Sequence, residues 1–124
     1  MRIDLHITLG NQLFSPSIIE KLNPTKIFIK EDYQLCTYQK HHKHKLILFL
    51  SAMRSYRDEL IEQGMKVHYE KLTDDKSTSY IDSLVSYIKD NNVKTVSIFE
   101  IEDEWFHKEI LKIKKYVTTL KILD

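Results

Sequence analysis

The chain has 124 residues, 42% of them apolar, and its 19 basic residues nearly balance its 18 acidic ones, for a net charge of +1. These values are typical of one folded domain, and they give no overall attraction to nucleic acid, although they do not exclude a local basic patch. One cysteine and two glycines exclude an internal disulfide and glycine-rich nucleotide loops. Because no apolar run approaches the ~20 residues of a membrane span and no signal peptide is evident, we expect a single cytoplasmic domain over residues 1–124, away from membranes.

The first half of the chain alternates between strand-like and helix-like segments. Residues 2–9 alternate apolar and polar side chains, which predicts a strand, and residues 16–22 predict a short helix. Residues 26–29 predict a short buried strand, followed by a loop over 31–38. Apolar residues then recur at three- and four-residue steps, which predicts a long helix over 39–63.

The second half repeats this alternation. Its predicted elements are a strand over 67–72, a helix from 77–79 to about 91, a strand over 93–99, a helix over 102–116 and a strand over 118–123. Strands that alternate with helices predict a parallel sheet with helices on both faces. The fold class is therefore α/β, a doubly wound, Rossmann-like domain with five strands.

In such a fold, ligands bind beyond the carboxyl ends of the strands, where the strand order reverses. This rule indicates three segments: Gly10-Asn11-Gln12, Glu31-Asp32 and residues 100–104. None of them completes a catalytic set. Ser51 lies inside a predicted helix without the turn that a nucleophilic serine needs.

The first predicted strand carries Asp4 and His6 opposite its apolar side. A central parallel strand is usually apolar on both faces. One interpretation is an edge position, or a polar contact with a helix. The other is a polar cavity, or an interface with something absent from this chain.

A cluster of histidines and lysines surrounds the start of the long helix, between Cys36 and Lys45. Zinc binding is one interpretation, but the spacing is poor because Cys36 precedes the helix that carries His41 and His44. A Cys–His nucleophile is a second interpretation. The others are contacts with a phosphate, a flavin or a partner domain, or simply a basic, solvated helix start.

Three stretches of the sequence match one protein family. Leu9–Leu13 follows the first strand, Glu31-Asp32 and Leu35-Cys36 follow the second, and His41–Arg54 leads into the long helix. Three further positions match around the next strand: Gly64, Val67 and Tyr69. Together they resemble the amino-terminal domain of the bacterial photolyase-related proteins, the iron–sulfur branch of the cryptochrome/photolyase family, over nearly the whole chain.

The resemblance implies a sheet of order 3-2-1-4-5 that holds an antenna chromophore, a ribityllumazine in this branch. It implies that this chain is a non-catalytic fragment of a larger flavoprotein, a DNA photolyase (a lyase) or a cryptochrome-like photoreceptor. FAD, a four-iron cluster and the damaged DNA would belong to a carboxyl-terminal helical domain, the partner of this one.

The resemblance places the antenna near the carboxyl ends of strands one and two. The expected cofactor-binding residues are Leu9, Gly10, Asn11, Gln12, Glu31, Asp32, Leu35, Cys36 and Leu48. No catalytic residues and no metal ligands are expected in this chain. The competing functions are a stand-alone small-molecule binding module without a light function and, less favoured, a hydrolase or nucleotidyl-transferring enzyme.

Overall fold

Five parallel strands form one sheet in the part of the chain that the computed structural model describes, residues 3–10, 12–31, 43–71 and 79–123. The strands are β1 (Leu5–Ile7), β2 (Lys26–Lys30), β3 (Val67–Glu70), β4 (Thr95–Phe99) and β5 (Thr119–Leu123). Their order is β3-β2-β1-β4-β5, with every neighbouring pair parallel. The predicted fold class and strand order are confirmed.

Helices connect the strands, as the crossovers of a parallel sheet require. They are α1 (Pro16–Leu22), α2 (Lys43–Glu62), α3 (Tyr80–Asp90), α4 (Glu104–Leu111) and a 3-10 turn (Lys112–Lys115). The predicted start of the long helix at residue 39 lies outside the described residues, as do the side chains at 43–47 and 49. No described helix combines the length and the apolar character needed to cross a membrane.

The central strand β1 and the last helix are shorter than predicted. β1 covers only Leu5–Ile7. Asp4, just before it, accepts hydrogen bonds with its side chain from the backbone N–H groups of Lys94 and Thr95 at the start of β4. The last helix begins at Glu104 rather than at residue 102, since Asp103 is its N-cap.

The sheet separates two apolar clusters. On one face, Leu5 and Ile7 pack with residues of α3 and α4; on the other, Ile27 and Ile29 pack with residues of α1 and α2. Successive side chains of a strand point to opposite faces. His6 and the next residue on its side of β1, Thr8, therefore face α1 and α2.

The cap of α4 provides a test of local stability. Asp103 accepts a hydrogen bond from the backbone N–H of Phe106 at 3.2 Å, which satisfies one free donor of the first turn. We expect Asp103→Ala to lower the free energy of unfolding by about 1 kcal/mol in urea denaturation followed by circular dichroism. Asp103→Asn keeps a capping oxygen and should lose only a few tenths of that, about 0.3 kcal/mol. Equal losses in the two variants would contradict the capping role.

Candidate functional site

The carboxyl edge of the sheet brings several predicted site residues together. Leu9 and Gln12 are buried and Gly10 is half-buried just beyond β1, and Glu31 is buried directly after the adjacent strand β2. Leu48 lies on α2 with 69% of its surface exposed. The remaining predicted residues, Asn11, Asp32, Leu35 and Cys36, lie outside the described residues, so their part in a site stays a prediction.

Gln12 connects the ends of two central strands. Its side-chain amide donates to the backbone carbonyl oxygens of Phe99, at 3.1 Å, and Glu100, at 3.0 Å. β1 and β4 flank the point where the strand order reverses, which is where doubly wound sheets bind their ligands. The Gln12 side-chain oxygen is buried and lacks a hydrogen-bond partner among the described residues. At the reversal point this oxygen is thus a buried acceptor that the described residues leave unpaired.

Glu31 is held by residues of two other elements. Its carboxylate accepts hydrogen bonds from Arg54 of α2, with Nε to Oε2 at 2.7 Å and Nη2 to Oε1 at 3.0 Å, and from the Tyr69 hydroxyl of β3. The Glu31 side chain is fully buried, whereas the Arg54 side chain is 42% exposed. Such a bidentate arginine–carboxylate pair fixes the orientation of the carboxylate as well as balancing its charge. The carboxylate is therefore held rigidly at the end of β2.

The same contacts set the protonation of the neighbours of Glu31. Hydrogen bonding to Glu31, and then its charge, raise the pKa of Arg54. Burial, followed by the hydrogen bond to Glu31, raises the pKa of the Tyr69 phenol. Tyr69 is consequently a neutral hydrogen-bond donor and Arg54 a permanent cation at neutral pH.

The polar side of β1 is buried in the centre of the sheet. His6 is fully buried, and its Nδ1 lies 2.7 Å from the Ser97 hydroxyl of β4. Its ring meets the Phe99 ring edge-on, with centroids 5.3 Å apart. An edge position for this strand is wrong, because β2 and β4 flank β1 on both sides, and the contact of His6 is with a strand rather than with a helix.

A second polar group lies on the opposite face, and the sequence did not predict it. Lys30 is buried and its Nζ lies 3.4 Å from Glu70 Oε1, while His68 Nε2 lies 2.9 Å from Glu70 Oε2. The His68 ring contacts the rings of Phe28 and Tyr87, with centroids 5.5 and 4.5 Å away. Alternation in β3 was the available clue, since it places His68 and Glu70 on one side.

The third predicted segment, residues 100–104, borders an open groove. The groove has a volume of about 430 Å³ and is lined by Glu100, Ile101, Glu104, His107, Lys108 and Ile122. Trp105, beside it, is 42% exposed. Among the described residues, no group of three histidine, cysteine or acidic side chains is placed to hold a metal ion. The histidine cluster before α2 lies outside the described side chains.

A parallel α/β sheet with buried polar side chains at its order-reversal point defines a Rossmann-like domain. The chain belongs to the family of deoxyribodipyrimidine photo-lyase-related proteins, whose model matches residues 6–124. It is 33% identical over 107 residues to a protein named (6-4) photolyase from Agrobacterium fabrum (strain C58 / ATCC 33970). That match covers 82% of this chain and 20% of the relative, so the chain spans about a fifth of that protein's length. The family predicted from the sequence is confirmed.

Proposed function

We propose that this chain is the antenna-chromophore domain of a photolyase- or cryptochrome-like protein that acts in light-driven repair of UV-damaged DNA. Family membership carries the proposal, together with the buried polar edge at the order-reversal point. The match to about a fifth of a protein named (6-4) photolyase accords with one domain of a larger protein. FAD, a four-iron cluster and the DNA lesion then belong to a helical partner domain, in the cytoplasm.

The proposed chromophore is a ribityllumazine, a flat ring system with a chain of hydroxyl groups. Such a ligand needs apolar packing and a few fixed polar groups. The apolar side chain of Leu9, the Gln12 oxygen that the described residues leave unpaired and the anchored carboxylate of Glu31 lie at the same edge. These residues fit the group.

The role proposed for the residues of this chain is to hold the antenna chromophore and fix its orientation. An antenna absorbs light and passes the energy on, so it requires a fixed position and no acid–base catalysis. Hydrogen bonds from Gln12 to the end of β4, and from Arg54 and Tyr69 to Glu31, tie the polar groups of the edge to two further strands, β4 and β3, and to the helix α2. A ligand bound there is held by a rigid frame.

Titration of the 124-residue chain with ribityllumazine tests the proposal. We expect a saturable change of lumazine fluorescence with a stoichiometry of one. Gln12→Ala removes the side-chain oxygen proposed to meet the ligand, and with it the hydrogen bonds to Phe99 and Glu100 that hold this side chain in place. It should weaken binding by about tenfold. Gln63→Ala, at an exposed position near the end of α2, is the matched control and should bind like the wild type.

The outcomes separate the competing functions. Fluorescence that does not saturate would contradict a chromophore site in this chain. Saturable binding of other small molecules, without any of the lumazine, would instead favour a binding module without a light function.

A further inference from the structure

Three buried polar atoms along β1 have no hydrogen-bond partner within the described ranges. They are His6 Nε2, Thr8 Oγ1 and Gln12 Oε1, in residues that are 0%, 1% and 5% exposed. Buried polar groups are nearly always paired, because an unpaired one costs about 1–3 kcal/mol. Three such atoms in one short segment therefore indicate a partner that the described residues do not supply.

The three residues are here called the polar row: His6 lies in β1, Thr8 directly after it, and Gln12 beyond Leu9 and Gly10 at the carboxyl edge of the sheet. His6 and Thr8 point to the same face, about 7 Å apart at ~3.4 Å per residue. Gln12 ends the row, where its amide is fixed to the end of β4. The hydrogen bond with the Ser97 hydroxyl fixes the His6 ring through Nδ1. Nε2, the other ring nitrogen, is therefore directed away from that hydroxyl. The row thus presents polar groups at successive positions from the middle of the sheet to its edge.

The polar row is uncharged at neutral pH. Burial lowers the pKa of His6 to about 4, so its imidazole is neutral. Thr8 and Gln12 carry no charge, and the nearby carboxylate of Glu31 is paired with Arg54. A phosphate or carboxylate would find no compensating charge on these three side chains, whereas hydroxyl groups would match them. A hydroxyl both donates and accepts, so it suits either His6 tautomer, the Thr8 hydroxyl and the acceptor of Gln12.

We propose that the polar row binds the hydroxyl chain of the ligand, a neutral polyol, while the ring system lies at the carboxyl edge of the sheet. This inference rests on the proposed function and adds which residues contact which part of the ligand. The three unpaired atoms carry it, because each can pair with a hydroxyl group and a polyol chain offers several of them. His6 and Thr8 then bind the ligand, although neither belongs to the three segments that the sequence indicates as ligand-binding.

Two ligands and two variants test the proposal. The wild-type chain is titrated with ribityllumazine and with a lumazine whose ribityl group is replaced by an alkyl chain without hydroxyls. We expect the ribityl compound to bind at least tenfold more tightly. Thr8→Val removes one hydroxyl with little change of shape and should weaken the ribityl compound by about fivefold to tenfold while leaving the alkyl compound unchanged.

Thr119→Val, on the edge strand β5, is the matched control and should change neither affinity. Without ligand, Thr8→Val should be as stable as the wild type or more so, because the hydroxyl it removes is unpaired. Equal binding of both compounds by the wild type, or an unchanged preference in Thr8→Val, would overturn the inference and leave the proposed function standing. Failure of both compounds to bind the wild type would overturn both.

Discussion

Arg54→Ala is expected to lower the free energy of unfolding by about 3 kcal/mol. The substitution leaves the Glu31 carboxylate fully buried without the guanidinium that contacts both of its oxygens. Breaking a buried ion pair in this way costs about 3–5 kcal/mol, and the lower end applies here because the Arg54 side chain is 42% exposed and water reaches it. Urea denaturation followed by circular dichroism measures the loss.

Arg57→Ala, one turn further along α2, is the matched control. Arg57 pairs with the largely exposed Asp58 and lies 4.7 Å from the centre of the Tyr69 ring, so its removal should cost less than about 1 kcal/mol. Arg54→Lys keeps the charge without the two-pronged geometry and should fall between the two alanine variants. If Arg54→Ala and Arg57→Ala lose the same stability, the Glu31 pair does not stabilise this edge of the sheet.

Local patterns were sufficient to predict the fold. Strand and helix periods alternate along the whole chain, and this alternation leaves a parallel sheet as the natural arrangement. The predicted ends of the helices and strands were less accurate, because side-chain capping and the hydrogen bonds between strands determine where each element begins and ends. Asp103 looked like a residue of the first helical turn, yet its side chain caps that turn from outside. Asp4 looked like part of a strand, yet its side chain binds the backbone at the start of β4.

The sequence did not predict which side chains contact each other within the site. Glu31 was predicted as a site residue, but its partners Arg54 and Tyr69 lie 23 and 38 residues away along the chain. In the sequence both are positions that match the family, and no pattern gives either of them a role. Which residue of a long helix reaches a given strand end depends on how the helix packs on the sheet, and periodicity defines a face rather than an individual contact.

The polar side of β1 shows what the sequence could and could not decide. Asp4 and His6 were recognised as unusual for a buried parallel strand, and a polar cavity was one of the interpretations. The structure removes the edge interpretation and identifies Ser97 as the partner of His6. A buried polar residue in a central strand weakens the core. Here one ring nitrogen of His6 is paired with Ser97 and the other lacks a partner among the described residues, which is the observation behind the proposed binding role.

Acidification from pH 7 to pH 4 should lower the free energy of unfolding by about 3 kcal/mol through His6 alone. Burial lowers the pKa of His6 from 6.5 to about 4 in the folded chain. Above pH 6.5 the imidazole is neutral in both states and contributes no pH dependence. Between pH 6.5 and 4 the unfolded chain binds a proton that the folded chain does not, so stability falls as the pH falls. Below about pH 4 both states are protonated and the loss levels off.

The contribution of His6 is the difference between the wild type and His6→Gln in urea denaturation at a series of pH values, since other groups titrate equally in both. The wild type should lose about 3 kcal/mol more than the variant between pH 7 and pH 4. Ser97→Ala keeps the buried imidazole and should keep this excess loss, because burial and not the hydrogen bond lowers the pKa of His6. Parallel curves for the wild type and His6→Gln would mean that His6 takes up its proton in the folded chain. The polar row would then not be neutral below pH 6.5, and the argument for an uncharged ligand group would lose its basis.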